Sequence, residues 1–224
     1  MESIDNASNL EVLKLWPPLI AELSSPEAQI RRYAAWVIGT AVQNNPKAQG
    51  HLLQYKAVKR LVEKLGDEYA VRSKAIYALG SQLSHCPAAV KQFEEAGGWS
   101  RLRACIRDVE EGTECQRRVA FLVANYLAED GALMSGLEEN GFLKGFVQVL
   151  QKQEPDVREK VQALEIKVTK MKTIKAVNML ISKNIGTRDK ETMRELRETI
   201  ARLRDDSSID QELVMTLEST VQSL

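Results

Sequence analysis

The sequence predicts an all-α solenoid. Three observations predict it: a unit of 41 to 44 residues that recurs three times, apolar positions at helical spacing inside each unit, and turn-forming residues at the joints. Residues 29–46 (QIRRYAAWVIGTAVQNNP) and 70–87 (AVRSKAIYALGSQLSHCP) align with a single shift. It pairs Gly39 with Gly80, Pro46 with Pro87, Ile30 with Val71, Ala34 with Ala75, Ile38 with Leu79 and Val42 with Leu83. Downstream it pairs Leu52 with Phe93, Val58 with Trp99 and Leu61 with Leu102. A shift of 44 then carries the second copy onto 114–127 (ECQRRVAFLVANYL), and a fainter fourth copy starts at 156–168.

Each unit reads as helices with short breaks. Ile30, Ala34, Val37, Ile38, Ala41 and Val42 follow i, i+4, i+7, i+8, i+11, i+12 spacing, which is a helix with a wide apolar face. Ser25-Pro26 predicts a helix start, with serine as N-cap and proline at the first helical position. Asn45-Pro46, Cys86-Pro87 and Glu154-Pro155 mark equivalent breaks, and Gly97-Gly98 and Gly141 fall where a helix must stop. Before the repeats, Leu10, Leu13, Trp16, Leu19 and Ile20 form a helical stripe. After about residue 169 the sequence is highly charged: Met193, Leu196, Ile200 and Leu203 make one narrow stripe, and Arg194–Glu198 and Glu198–Arg202 are surface pairs. Ser208 to Gln211 matches a capping box ahead of Leu213, Leu217, Val221 and Leu224. One-stripe helices suit the ends of a repeat array.

The period lies in the armadillo and HEAT range. The expected architecture is therefore an armadillo-repeat right-handed superhelical solenoid with helical capping segments. Residues 1–24 are expected to be a capping helix or partial repeat. Repeats are expected over 25–67, 68–111 and 112–154, a fourth begins at 155–169, and 170–224 is a charged helical cap.

Composition narrows the function. Lysine plus arginine and aspartate plus glutamate are 31 each, so bulk charge draws the chain neither to nucleic acid nor to an anionic membrane. No apolar stretch approaches a membrane span, and MESIDNASNL has no apolar signal core. Three cysteines, Cys86, Cys105 and Cys115, without paired spacing fit a reducing compartment, and a cytoplasmic monomer is expected. No phosphate-loop, dinucleotide, nucleophile-elbow or H-E-x-x-H motif occurs, and His51 and His85 neighbour no recognisable nucleophile motif. Cys115 aligns with the apolar Ile30 and Val71, so it reads as core rather than as a metal ligand. The expectation is a binding protein with no enzyme activity, no cofactor and no metal.

Its surface can be placed. The third helix of a solenoid repeat lines the concave side, and the aligned third-helix positions hold Trp36, Tyr77 and Phe121. One turn later come Thr40, Ser81 and Asn125, and nearly one turn earlier Tyr33, Lys74 and Arg118. Positions i−3, i and i+4 share a helix face, so these nine residues are expected to form one ladder. Aromatic and arginine side chains suit a protein partner. The competing possibility is that the aromatics belong to the core.

Three strings carry a family resemblance: DNASNLEVLKLWPPL (5–19), AAWVIGTAVQNNP (34–46) and RSKAIYALGSQLSHCP (72–87). They resemble the armadillo-type nucleotide exchange factors of heat-shock protein 70 chaperones, in the cytosolic heat-shock-protein-70-binding-protein family. The resemblance covers about residues 4–150. It implies that the concave face grips the chaperone's nucleotide-binding domain and promotes ADP release, with no catalytic residue. It also implies contacts at Ala7, with its motif neighbours Asn6 and Asn9, and at Arg118. Family members carry a further segment ahead of the D-N-A motif, where four residues stand here, so a client-displacing segment is expected to be missing. The alternative is an armadillo scaffold for extended peptides. Such scaffolds repeat tryptophan and asparagine four residues apart; here the pairs are Trp36/Thr40, Tyr77/Ser81 and Phe121/Asn125, so neither half is kept throughout.

Overall fold

The computed structural model describes residues 4–107, 114–128, 135–151, 160–206 and 209–224, with backbone alone over 4–6 and 160–168. Among the described residues every regular element is a helix. The chain divides into two compact units, Met1–Leu102 and Arg103–Leu224. The first holds α1 (Ile4–Val12), α2 (Trp16–Ala21), α3 (Ala28–Val42), α4 (Pro46–Gln54), α5 (Ala57–Glu63), α6 (Tyr69–Leu83), α7 (Pro87–Glu95) and the start of α8 (Gly98–Arg107). The second holds the end of α8 and then α9 (Glu114–Ala128), α10 (Ser135–Glu139), α11 (Phe142–Gln151), α12 (Lys160–Ser182), α13 (Lys190–Arg204) and α14 (Gln211–Gln222).

The repeat seen in the sequence is a repeat of burial. Ala34, Ala75 and Val119 are buried, as are Ile38, Leu79 and Val123, and Val42, Leu83 and Leu127. In unit 1, α3 packs along α6; in unit 2, α9 packs along α12. Backbone conformation repeats as well. Asn44 and His85, one period apart, take left-handed φ of 51° and 52° between successive helices, which gives His85 a turn-forming place. Lys56, Gly97 and Gly141 occupy one aligned position with φ of 51°, 69° and 63°; glycine takes that region without penalty, lysine does not. One aligned side chain of each third-position helix donates to backbone carbonyls that precede it in the chain. Arg31 Nη1 donates to the carbonyls of Ser25 and Pro26 at 3.0 and 2.9 Å. Arg72 Nη2 donates to the Asp67 carbonyl at 3.0 Å, and the buried Gln116 Nε2 to that of Ile106 at 3.0 Å.

Several local expectations need correction. The helix after Ser25-Pro26 begins at Ala28 with Glu27 at its cap, and the Ser25 hydroxyl instead accepts from the Glu27 N–H. Asn45 does cap α4, accepting from the Ala48 N–H at 3.2 Å, whereas Cys86 gives α7 no side-chain cap. Ile30 is 41% exposed, although its aligned partners Val71 and Cys115 are buried. Leu13 is also exposed, because α1 ends at Val12 and Lys14 turns the chain before α2. Glu154-Pro155 and Ser208 lie outside the described residues. Helix α14 starts at Gln211 on the Asp210 cap, and its buried face is Val214, Leu217 and Val221, with Leu224 exposed. The α13 stripe of Met193, Leu196, Ile200 and Leu203 is buried, and Arg194 pairs with Glu198 at 3.6 Å. The described part of the fourth copy, from Lys160, and the start of the charged tail are one helix, α12, which packs against α9, α11 and α14. No described helix is long and apolar enough to cross a membrane.

Candidate partner-binding surface

In unit 1, α3 buries Ala34, Ala35, Ile38, Ala41 and Val42, which leaves Tyr33 and Trp36 on its outer side at 49% and 44% exposure. Their rings stack with centroids 6.4 Å apart and 25° between planes. The Lys74 ammonium of α6 stands 4.5 Å from the Trp36 ring centroid, an attraction worth about 0.5–1 kcal/mol at an exposed site. The Tyr77 hydroxyl donates to Gln43 Oε1 at 2.9 Å and lies 3.5 Å from Thr40 Oγ1, while Thr40 Oγ1 donates to the Trp36 carbonyl at 3.0 Å. Tyr33, Trp36, Thr40, Lys74 and Tyr77 therefore form one half-open aromatic and polar patch across α3 and α6. Ser81, one turn beyond Tyr77, is half-buried, and its carbonyl accepts from Gln49 Nε2 at 2.9 Å.

Below this patch lies an ion-paired clamp. The Arg31 guanidinium meets both Asp67 carboxylate oxygens, Nε–Oδ2 at 2.8 Å and Nη2–Oδ1 at 2.7 Å. Burial raises the Asp67 pKa. The bond from Arg31, the Glu68 N–H and the charges of Arg31 and Lys64 outweigh that and hold it below the usual carboxylate value.

In unit 2, Phe121 is 48% exposed on α9, and Asn125, one turn on, is exposed. The Lys172 ammonium of α12 sits 4.0 Å from the Phe121 ring centroid. Arg118 is half-buried and paired with Glu114 of its own helix, Nε to Oε1 at 3.0 Å. Each unit thus covers an outward aromatic of one long helix with a lysine from the long helix packed against it. Lys172 carries this arrangement beyond the ladder read from the sequence, as Gln43 does in unit 1.

The N-terminal motif behaves differently. Asn9 is exposed on α1, the Asn6 side chain lies outside the described part, and Ala7 is buried at 4% exposure. Its methyl group faces the interior, which corrects the expectation of an outward contact there. Cys105 and Cys115 are buried and Cys86 half-buried, and no His, Cys, Asp or Glu group that could hold a metal ion occurs among the described residues. Glu94 accepts from the Trp99 indole N–H at 3.0 Å.

The sequence profile of the SIL1/FES1/HPBP1 C-terminal domain matches residues 6–132, more than half of the chain. The chain belongs to this family. Among curated relatives, the Hsp70 nucleotide exchange factor FES1 of Mycosarcoma maydis is 45% identical over 131 residues, 58% of this chain and 33% of that protein. FES1 of Coccidioides immitis is 52% identical over 91 residues, 39% of this chain and 43% of that protein. The matches to these members span between a third and a half of the relatives' own length. A designed armadillo repeat protein solved in complex with the peptide (KR)4 superposes with a TM-score of 0.71 at 18% identity, over 98% of this chain and 85% of that one. A computationally designed armadillo repeat protein gives 0.65 at 19% identity, over 91% and 79%. These likenesses identify the family member's fold as armadillo-type.

Proposed function

We propose that this chain is a nucleotide exchange factor for a heat-shock protein 70 chaperone, binding the chaperone's nucleotide-binding domain and promoting ADP release as a non-catalytic regulator. The observation that carries the reading is the family match over residues 6–132, whose relatives bear that name. The exposed aromatics of α3 and α9 support it. Outward Tyr33, Trp36 and Phe121 give the helices large apolar anchors for a partner.

The mechanism needs only differential affinity. A protein that binds the open form of the nucleotide-binding domain more tightly than the closed form shifts the chaperone toward opening. By linkage it weakens nucleotide binding by the same factor. A hundredfold loss of ADP affinity corresponds to about 2.7 kcal/mol of such preference, a magnitude that a few buried aromatic and charged contacts supply. The contacts proposed on unit 1 are Tyr33, Trp36, Thr40, Lys74, Tyr77 and Ser81, with Asn6 and Asn9 of the N-terminal motif; those proposed on unit 2, taken by itself, are Arg118, Phe121 and Asn125. The site of action is the cytoplasm.

The test is release of a fluorescent ADP analogue from a cytosolic heat-shock protein 70, chased with ATP. Acceleration that saturates with added protein is expected; unchanged release with correctly folded protein rejects the proposal.

A further inference from the structure

The outer face formed by α9 and α12 in unit 2 is asymmetric in charge. Arg117 stands on α9, and Lys172 and Lys175 on α12, with Phe121 among them. The charges that act on Lys172 are those of Lys175 and Arg117, both positive. Burial, and then these two cations, hold the Lys172 ammonium below the ordinary lysine pKa. From Thr169 to Ser182, α12 carries three lysines, Lys170, Lys172 and Lys175, and no acidic residue; Lys170 is paired with Asp206, beyond the end of α13, at 3.0 Å. Arg117 reaches a carboxylate only at 3.9 Å, and that carboxylate, Glu114, also serves Arg118. The Lys172 ammonium lies over one side of a ring that remains 48% exposed. Among the described residues the patch thus combines a surplus of cations with an open aromatic edge.

We propose that Arg117, Phe121, Lys172 and Lys175 form a docking surface for an acidic protein segment, whose carboxylates meet the three cations while apolar atoms of the segment pack on Phe121. The inference rests on the exchange-factor reading only in supposing that the chaperone is the protein that brings those carboxylates. Complementary charge raises association rates and selects partners, and the aromatic ring supplies affinity that charge alone does not. A protein is favoured over nucleic acid because the whole chain is electrically balanced, with 31 basic and 31 acidic residues, so no long-range field gathers a polyanion. Lys172 and Lys175 lie beyond residues 6–132, so the patch is completed by a helix outside the family match.

The probe is fluorescein-labelled octaglutamate, titrated with the full chain at low ionic strength and followed by anisotropy. Binding that weakens as salt rises is expected, with roughly tenfold loss in Lys172→Glu/Lys175→Glu and a smaller loss in Lys175→Glu alone. Lys172→Gln, which keeps most of the stem over Phe121, guards against a folding defect and is expected to weaken binding too. Arg194→Glu, an equal charge change on exposed α13, is expected to leave binding intact. Equal binding by the double variant, no binding by the wild type, or tighter binding of a uridine oligonucleotide at this face overturns the proposal. The ADP-release assay on the same proteins separates the two readings. Octaglutamate binding that requires Lys172 without any ADP release leaves the patch standing and removes the exchange function; ADP release indifferent to the double variant does the reverse.

Discussion

The ring of Tyr77 occupies the space that Gly39 leaves open: a β-carbon on residue 39 would lie 2.7 Å from Tyr77 Cδ1 and 2.9 Å from Ala78 Cα. The approach of α6 to α3, and the position of Tyr77 at the surface patch, both depend on that missing methyl group. Alanine improves helix propensity by about 1 kcal/mol over glycine, but overpacking against a backbone atom costs about 1–3 kcal/mol. Gly39→Ala is therefore expected to lower the melting temperature by a few degrees and to displace Tyr77 from Gln43, seen as a changed tyrosine environment in near-ultraviolet circular dichroism. A variant that melts higher than wild type contradicts this packing.

Trp36→Ala separates binding from folding. The ring is 44% exposed, so its removal is expected to shift stability by no more than about 1 kcal/mol, while chaperone binding falls at least roughly tenfold. Phe93 is the opposite case. It is fully buried and packs edge-on against Trp99 at 4.9 Å, so Phe93→Ala is expected to cost about 3–5 kcal/mol in denaturant unfolding.

The Asp67 clamp gives a pH signature. Its folded-state pKa lies below the unfolded value of about 3.9, so the stabilisation is complete above that value and is lost as pH falls through the lower, folded value. Asp67→Asn is expected to melt below wild type at neutral pH, with the gap closing only below about pH 4. A gap that closes by pH 6 points to some other group.

Ala7 and Arg118 are expected to respond differently. Ala7→Arg forces a guanidinium into a position 4% exposed and is expected to reduce helicity and melting temperature, so lost binding in that variant carries no information about the interface. Asn9→Arg, at an exposed position on the same helix, is the cleaner probe. Arg118→Ala leaves Glu114 beside Arg117 and is expected to weaken chaperone binding without changing the melting curve.

Much of this was legible from periodicity, because burial repeats with the sequence. The aligned sets led by Ala34, Ile38 and Val42 are core in the first three copies, and Trp36 and Phe121 point outward at equal spacing from them. What escaped was set by neighbours that alignment does not describe. Ile30 is 41% exposed although the aligned Val71 and Cys115 are buried. Lys56 takes a left-handed turn without the glycine that announces it at residues 97 and 141. Lys172 was invisible because α12 runs for 23 residues without a break, so no fixed shift places its lysine on Phe121 as Lys74 is placed on Trp36.

The packing of α12 along α9 bears on how the gene can be cut. The family match stops at residue 132, a few positions after α9 ends, and a fragment trimmed there strips the helix that shields its greasy flank. Such a piece is expected to clump in sedimentation experiments, while a boundary set after α14 yields dispersed material. Homology marks where ancestry is recognisable; the seam at which the polypeptide is self-sufficient lies farther along.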